Sequence, residues 1–167
     1  MSDEKFILDA TAGFRMMWFN KHHPNTLYID SRPECEPDQV ADFTHLKYPD
    51  ETFQLIVFDP PHIIKEKGNT NMGLEHNFGM LKAETWQQEL KDGFKELWRV
   101  LKPMGILIFK WNTYSLSSDE MLKIAPADPL FYQVSASRNK IARKKDNPHV
   151  KTLWFCFMKI PQQEKQR

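Results

Sequence analysis

Four carboxylates stand where short apolar runs give way to polar turns. Asp9 follows Phe6-Ile7-Leu8, Asp30 follows Thr26-Leu27-Tyr28-Ile29, Asp42 follows Gln39-Val40-Ala41, and Asp59 follows Phe53 to Phe58. Such runs read as strands buried on both faces, and ligands of open α/β sheets bind in the crevice at the carboxyl ends of those strands. Asp30 comes 21 residues after Asp9, the interval expected of an acid that accepts hydrogen bonds from two ribose hydroxyls. Asp42 and Phe43 suit an adenine pocket, the acid taking the exocyclic amine and the ring packing on the base. Between the first two acids, Ala10-Thr11-Ala12-Gly13 carries one glycine where a dinucleotide fingerprint has three. One glycine among alanines permits close approach but builds no phosphate cradle. It suits a cofactor with no phosphate at that point, such as a sulfonium, and equally an ordinary strand-to-helix turn.

The fourth acid opens Asp59-Pro60-Pro61-His62. Two prolines fix φ and hold the neighbouring acceptors rigidly. Lys110, Trp111 and Asn112 end the next strand and should face the same crevice, where they could meet a phosphate, a base face and a base edge. The plain alternatives are a solvated lysine, a core tryptophan and a turn asparagine. The stretch from Ile63 to Leu81, with Lys65 and Phe78, is long for a connector and is the expected lid over an acceptor. Six basic side chains between Arg138 and Lys151 face one acid, Asp146, a strip suited to a nucleic-acid backbone or to a solvated hairpin. The histidines and cysteines lack zinc-ligand spacing, so no metal is expected.

These residues need a scaffold, and the pattern supplies one. Helices are predicted over Phe14–Lys21 and Ser118–Ile124. A third begins at a Thr85-x-x-Gln88 capping box, carries a stripe of Trp86, Leu90, Phe94, Leu97, Trp98 and Leu101, and ends before Pro103 and Gly105. Gly93 costs that helix about 1 kcal/mol. Gly105–Trp111, Leu130–Ser137 and Thr152–Lys159 complete about seven strands, the last two joined by a loop and therefore antiparallel. The expected fold is α/β, a Rossmann-like mostly parallel sheet with an antiparallel last strand and helices on both faces. One domain spans 1–160, followed by a polar tail, 161–167.

Composition bounds the rest. The chain has 167 residues, 41% hydrophobic, enough for one domain and one core. Lys and Arg number 23 against 22 Asp and Glu, so any polyanion site is a local patch. Two cysteines give no disulfide framework, and neither a signal peptide nor a membrane-length apolar run is visible; a soluble cytoplasmic protein is expected.

The order Asp9-x-x-x-Gly13, Asp30, Asp42-Phe43, Asp59-Pro60-Pro61-His62 resembles the class I S-adenosylmethionine-dependent methyltransferases, especially those acting on exocyclic or amide nitrogens. Asp9 to Phe19, the Asp-Pro-Pro-His and Phe109-Lys110-Trp111-Asn112 together look like a group of small phage and bacterial methyltransferases. The resemblance implies S-adenosylmethionine held by Asp9, Ala10, Thr11, Ala12, Gly13, Asp30, Asp42, Phe43 and Asp59. It also implies a catalytic group of Asp59, Pro60, Pro61 and His62, and acceptor contacts from Lys65, Phe78, Lys110, Trp111 and Asn112. The expected acceptor is an exocyclic amine of a nucleobase, adenine in DNA or RNA first, with the nucleic acid meeting Lys110, Trp111 and the 138–151 strip. A small molecule or protein amide is the alternative acceptor, and a noncatalytic partner subunit the alternative role. The family's fourth motif position is an aromatic; here it is His62, which stacks with less surface.

Overall fold

A computed structural model describes residues 4–65, 79–135 and 150–161. The strands are β1 (Ile7–Asp9), β2 (Thr26–Asp30), β3 (Gln39–Val40), β4 (Phe53–Phe58), β5 (Leu101–Asn112), β6 (Phe131–Ser135) and β7 (Thr152–Met158), with helices α1 (Trp86–Val100) and α2 (Ser118–Ile124). They form a seven-stranded sheet in the order β3-β2-β1-β4-β5-β7-β6. Strands β3 to β5 run parallel, and β7 runs antiparallel to both β5 and β6. A further pair of two-residue strands, Ile64–Lys65 and Leu81–Lys82, brackets the stretch between them. No described helix is long and apolar enough to cross a membrane.

Register builds the core. Leu27, Leu8, Ile56, Leu107 and Phe157 lie side by side across five strands, and Phe58, Phe109 and Phe155 form the adjacent row. All face α1, whose Leu90, Phe94 and Leu97 are fully buried, and Met121 of α2 joins the same cluster. The Phe94 ring meets Phe109 and Phe58 edge-on, with centroids 5.0 and 5.5 Å apart. Arg99 ties the helix end to the preceding loop, donating to the carbonyls of Leu46 and Tyr48 and pairing with Glu96 and Asp50.

The structure corrects the expected helix at Phe14–Lys21, which is a series of turns. Gly13 and Arg15 both take positive φ, 49° and 54°, a conformation no α-helix admits. Tertiary partners hold Arg15 there. Its guanidinium lies 4.1 Å over the Tyr28 ring and donates to the Lys21 and Glu36 carbonyls and to Asp38. Among the described residues both helices pack on one face, and the turns after β1 cover part of the other, the Trp18 side chain reaching Asp9 of β1 and Tyr28 of β2. Leu55, Ile106, Ile108 and Trp154 on that second face stay half-buried.

Two smaller expectations also change. Thr85 makes no capping hydrogen bond to the helix backbone, its hydroxyl binding the Glu89 carboxylate instead. Strand β5 begins at Leu101, directly after α1, and absorbs Pro103 to Gly105 in a bulge between the pairs Phe53–Leu101 and Leu55–Ile106. Gly93 has a specific reason to be glycine: a Cβ there would lie 2.5 Å from Cδ2 of Phe43, which packs edge-on against Phe58. Gly93→Ala should destabilise the fold by about 1–3 kcal/mol through overpacking, outweighing the gain in helix propensity. A lower melting temperature than the parent checks this; a higher one contradicts the packing.

Candidate active site

The carboxyl end of β1 carries a buried acid under a tight turn. Asp9 is fully buried, and its two oxygens accept from the Thr11 backbone N–H at 3.2 Å and from the Trp18 indole at 2.6 Å. Burial pushes its pKa up to about 7, the two hydrogen bonds opposing and the charges of Asp59 and Asp30 adding to the rise. The next residues extend the sheet: the Ala10 N–H donates to Val57 and the Ala12 N–H to Ile29. Both alanines are buried, so larger side chains would push the turn off the sheet.

Gly13 donates its N–H to Asp30 Oδ2 at 2.8 Å. The same carboxylate takes Arg32 Nε at 2.9 Å and Nη2 at 3.1 Å. Both oxygens of the expected ribose acceptor are thus engaged, and a ribose reaching Asp30 would have to displace the Arg32 guanidinium. Asp42 is exposed and caps its own turn, accepting from the Thr44 N–H and hydroxyl at 2.8 Å each. Phe43 lies between Phe58 and α1, partly buried.

The end of β4 joins this turn directly. The Asp59 N–H donates to the Thr11 hydroxyl at 2.8 Å. Oδ2 of Asp59 pairs with Lys110 Nζ at 2.5 Å, whereas Oδ1 is buried with no hydrogen-bond partner among the described residues. Pro60 is buried and Pro61 half-buried, and Gly79, at φ 69°, crosses so close that a Cβ would sit 3.1 Å from Pro61 Cγ. The His62 ring meets Trp111 edge-on at 6.2 Å, and its Nδ1 is buried without a hydrogen-bond partner among the described residues. Burial pulls the His62 pKa below the usual histidine value; the Asp59 charge opposes this and the Lys110 charge adds to it, while the Pro60 carbonyl opposes it. A neutral imidazole results at pH 7. The loop is tied down beyond it, Ile64 N–H donating to Ser115 Oγ and Leu81 N–H to the Ile63 carbonyl.

The three expected contacts at the end of β5 find other partners. Lys110 meets Asp59. Trp111 is fully buried, its indole donating to the Leu116 carbonyl at 3.0 Å and its ring stacked on Phe109 at 5.9 Å; it offers no face to a base. The alternation Leu107, Phe109, Trp111 is the sequence signal that places it in the core. Asn112 clips the hairpin instead of reading a base edge, donating to Thr152 Oγ1 and accepting from the Tyr114 N–H. Lys65 enters the short ladder with Leu81–Lys82 through its backbone. Phe78 and positions 138–149 of the basic strip lie outside the described residues. Sequence reading missed Trp18 and Arg32. Trp18 lies within the Asp9 to Phe19 stretch but is given no role there, and only the position of Arg32 two residues beyond Asp30 hinted at a local ion pair.

The structure thus brings Asp9, Thr11, Gly13, Asp30 and Asp59 together at one end of the sheet, with Lys110 and His62 beside them. No described group of His, Cys, Asp and Glu could hold a metal ion. No protein-family model and no curated protein sequence matches the chain. Solved structures do. An S-adenosylmethionine-dependent methyltransferase from Methanosarcina mazei superposes with a TM-score of 0.58 at 12% identity, covering 96% of this chain and 94% of that one. A geranyl diphosphate methyltransferase in complex with GPP and sinefungin gives 0.59 at 10% identity, covering 96% and 74%. The [4+2]-cyclase SpnF gives 0.56 at 14% identity, covering 92% and 74%, so the shared scaffold does not by itself select a reaction. The chain has the Rossmann-like fold of the class I S-adenosylmethionine-dependent methyltransferases.

Proposed function

We propose that the protein transfers a methyl group from S-adenosylmethionine to an exocyclic amine of a nucleobase, adenine in DNA or RNA. The observation that carries this reading is Asp59 Oδ1, a buried acceptor at the end of β4 to which no described residue donates. An unsatisfied buried acceptor costs about 1–3 kcal/mol and persists where a ligand supplies the donor. The amine hydrogens would go to Oδ1 and to the Pro60 carbonyl, which favours a pyramidal nitrogen with its lone pair free. The prolines and the Gly79 contact hold these acceptors in place before substrate arrives.

The residues at the first turn fit a cofactor that brings no phosphate there. The turn carries one glycine and two buried alanines, and of the three acids around it Asp30 and Asp59 are already paired with Arg32 and Lys110, so the fit rests on the close approach the turn permits and not on a net negative field. When bound, the cofactor supplies an electrophilic methyl: the nitrogen–carbon bond forms as the carbon–sulfur bond breaks, sulfur keeps the electron pair, and the surplus amine proton leaves to water. The chain's part is orientation, with the turn at Ala10–Gly13 and the Asp59 loop linked through Thr11. His62, neutral and braced by Trp111, orients the acceptor ring.

A smaller amine acceptor is the second reading, favoured by the burial of Trp111 and the engagement of Asn112. Incubation with methyl-labelled S-adenosylmethionine and separate DNA, RNA, protein and metabolite pools decides. Label recovered as N6-methyladenine is expected. Label confined to the metabolite pool selects the second reading, and none in any pool overturns both.

A further inference from the structure

We propose that Lys110 is a positioning residue of the acceptor site, fixing the Asp59 carboxylate so that Oδ1 alone is presented to the amine; the proposal rests on the methyl-transfer reading above. Nζ lies 2.5 Å from Oδ2 and leaves Oδ1 as the oxygen without a partner among the described residues. Strand register produces the pair. Phe58 lies beside Phe109, so Asp59 and Lys110 emerge side by side from adjacent strands. Alternation sends Phe109 and Trp111 into the core and leaves Lys110 on the opposite face.

The lysine is held at a second point. Lys110 is opposite Trp154 in the β5–β7 register, and its Nζ lies 5.6 Å from the centroid of that indole. A cation over an aromatic face is attracted to it, which restricts the sweep of a long flexible side chain. Carboxylate torsions are broad and nearly two-fold, so an unanchored Asp59 would exchange its oxygens and lose the alignment that transfer requires. An ammonium already committed to Oδ2 and to the Trp154 face is poorly placed to reach out for a phosphate.

Lys110→Met and Lys110→Arg test this with adenine-containing DNA and RNA oligonucleotides as acceptors. In Lys110→Met, kcat should fall about 100-fold, the loss expected of a misplaced reactant. The oligonucleotide KM, its salt dependence and the affinity for S-adenosylhomocysteine should stay within about threefold. Lys110→Arg, which can keep both the ion pair and the ring contact, should recover kcat to within about tenfold of the parent. A raised KM and flattened salt response with kcat intact would make Lys110 a phosphate contact and overturn the proposal. Should Lys110→Met lose affinity for S-adenosylhomocysteine through misfolding, Lys110→Arg decides: kcat within about tenfold of the parent supports the proposal and a 100-fold loss overturns it. A parent that methylates no amine removes the underlying reading as well, and shows itself before any variant is compared.

Discussion

Asp59→Ala should lower methyl transfer by about 1,000-fold or more while changing cofactor affinity by less than about threefold. The split follows from the geometry. Alanine deletes Oδ1, the acceptor expected to take an amine hydrogen, yet keeps the backbone N–H that donates to the Thr11 hydroxyl. The turn at Ala10–Gly13 keeps its ties to β4 and β2 through the Ala10 and Ala12 N–H groups. Lys110 loses its anion but is part-exposed and still beside Trp154, so the vacancy leaves no deeply buried charge. Calorimetry with S-adenosylhomocysteine and labelled transfer to an oligonucleotide read the two quantities separately. Equal loss of both would mean that Asp59 serves the cofactor turn and not the acceptor.

The second large effect concerns stability and pH. Asp9 has its pKa raised from 3.8 to about 7 by burial, so the native chain holds a proton that the unfolded chain releases. Below about pH 4 both states are protonated and the acid costs nothing. As pH rises through the window from about 4 to 7 the unfolded state ionises first, and native stability falls. Above pH 7 the full cost is present, on the order of 4 kcal/mol. Asp9→Asn removes the ionisation and disturbs one of the two hydrogen bonds at every pH. The difference in unfolding free energy between variant and parent should therefore grow in the variant's favour from pH 5 to pH 8. Denaturant melts at the two pH values check this, and a pH-independent difference would show that Asp9 ionises as readily in the native state as in the unfolded one.

Sequence reading reached the sheet because its strands announce themselves: short apolar runs, the first four closing on an acid, need no knowledge of their neighbours. The stripe on α1 was legible for the same reason. What escaped depended on partners distant along the chain. Phe14–Lys21 looks helical by composition, but Arg15 is drawn out of the helix by Tyr28, Glu36 and Asp38. Gly93 looked like a defect until Phe43 filled its space. The Asp59 loop was legible as a motif; that Lys110 would cover one of its oxygens follows only from the alignment of β4 with β5.

The hydroxyl of Thr11 accepts from the Asp59 N–H, and this makes one hinge pin of two loops that the proposed methyl transfer requires to stay in step. A disturbance on the donor side reaches the acceptor side through one short side chain and one hydrogen bond. On the proposed reading, a shift of the cofactor turn is therefore passed on to the backbone that carries the acceptor carboxylate.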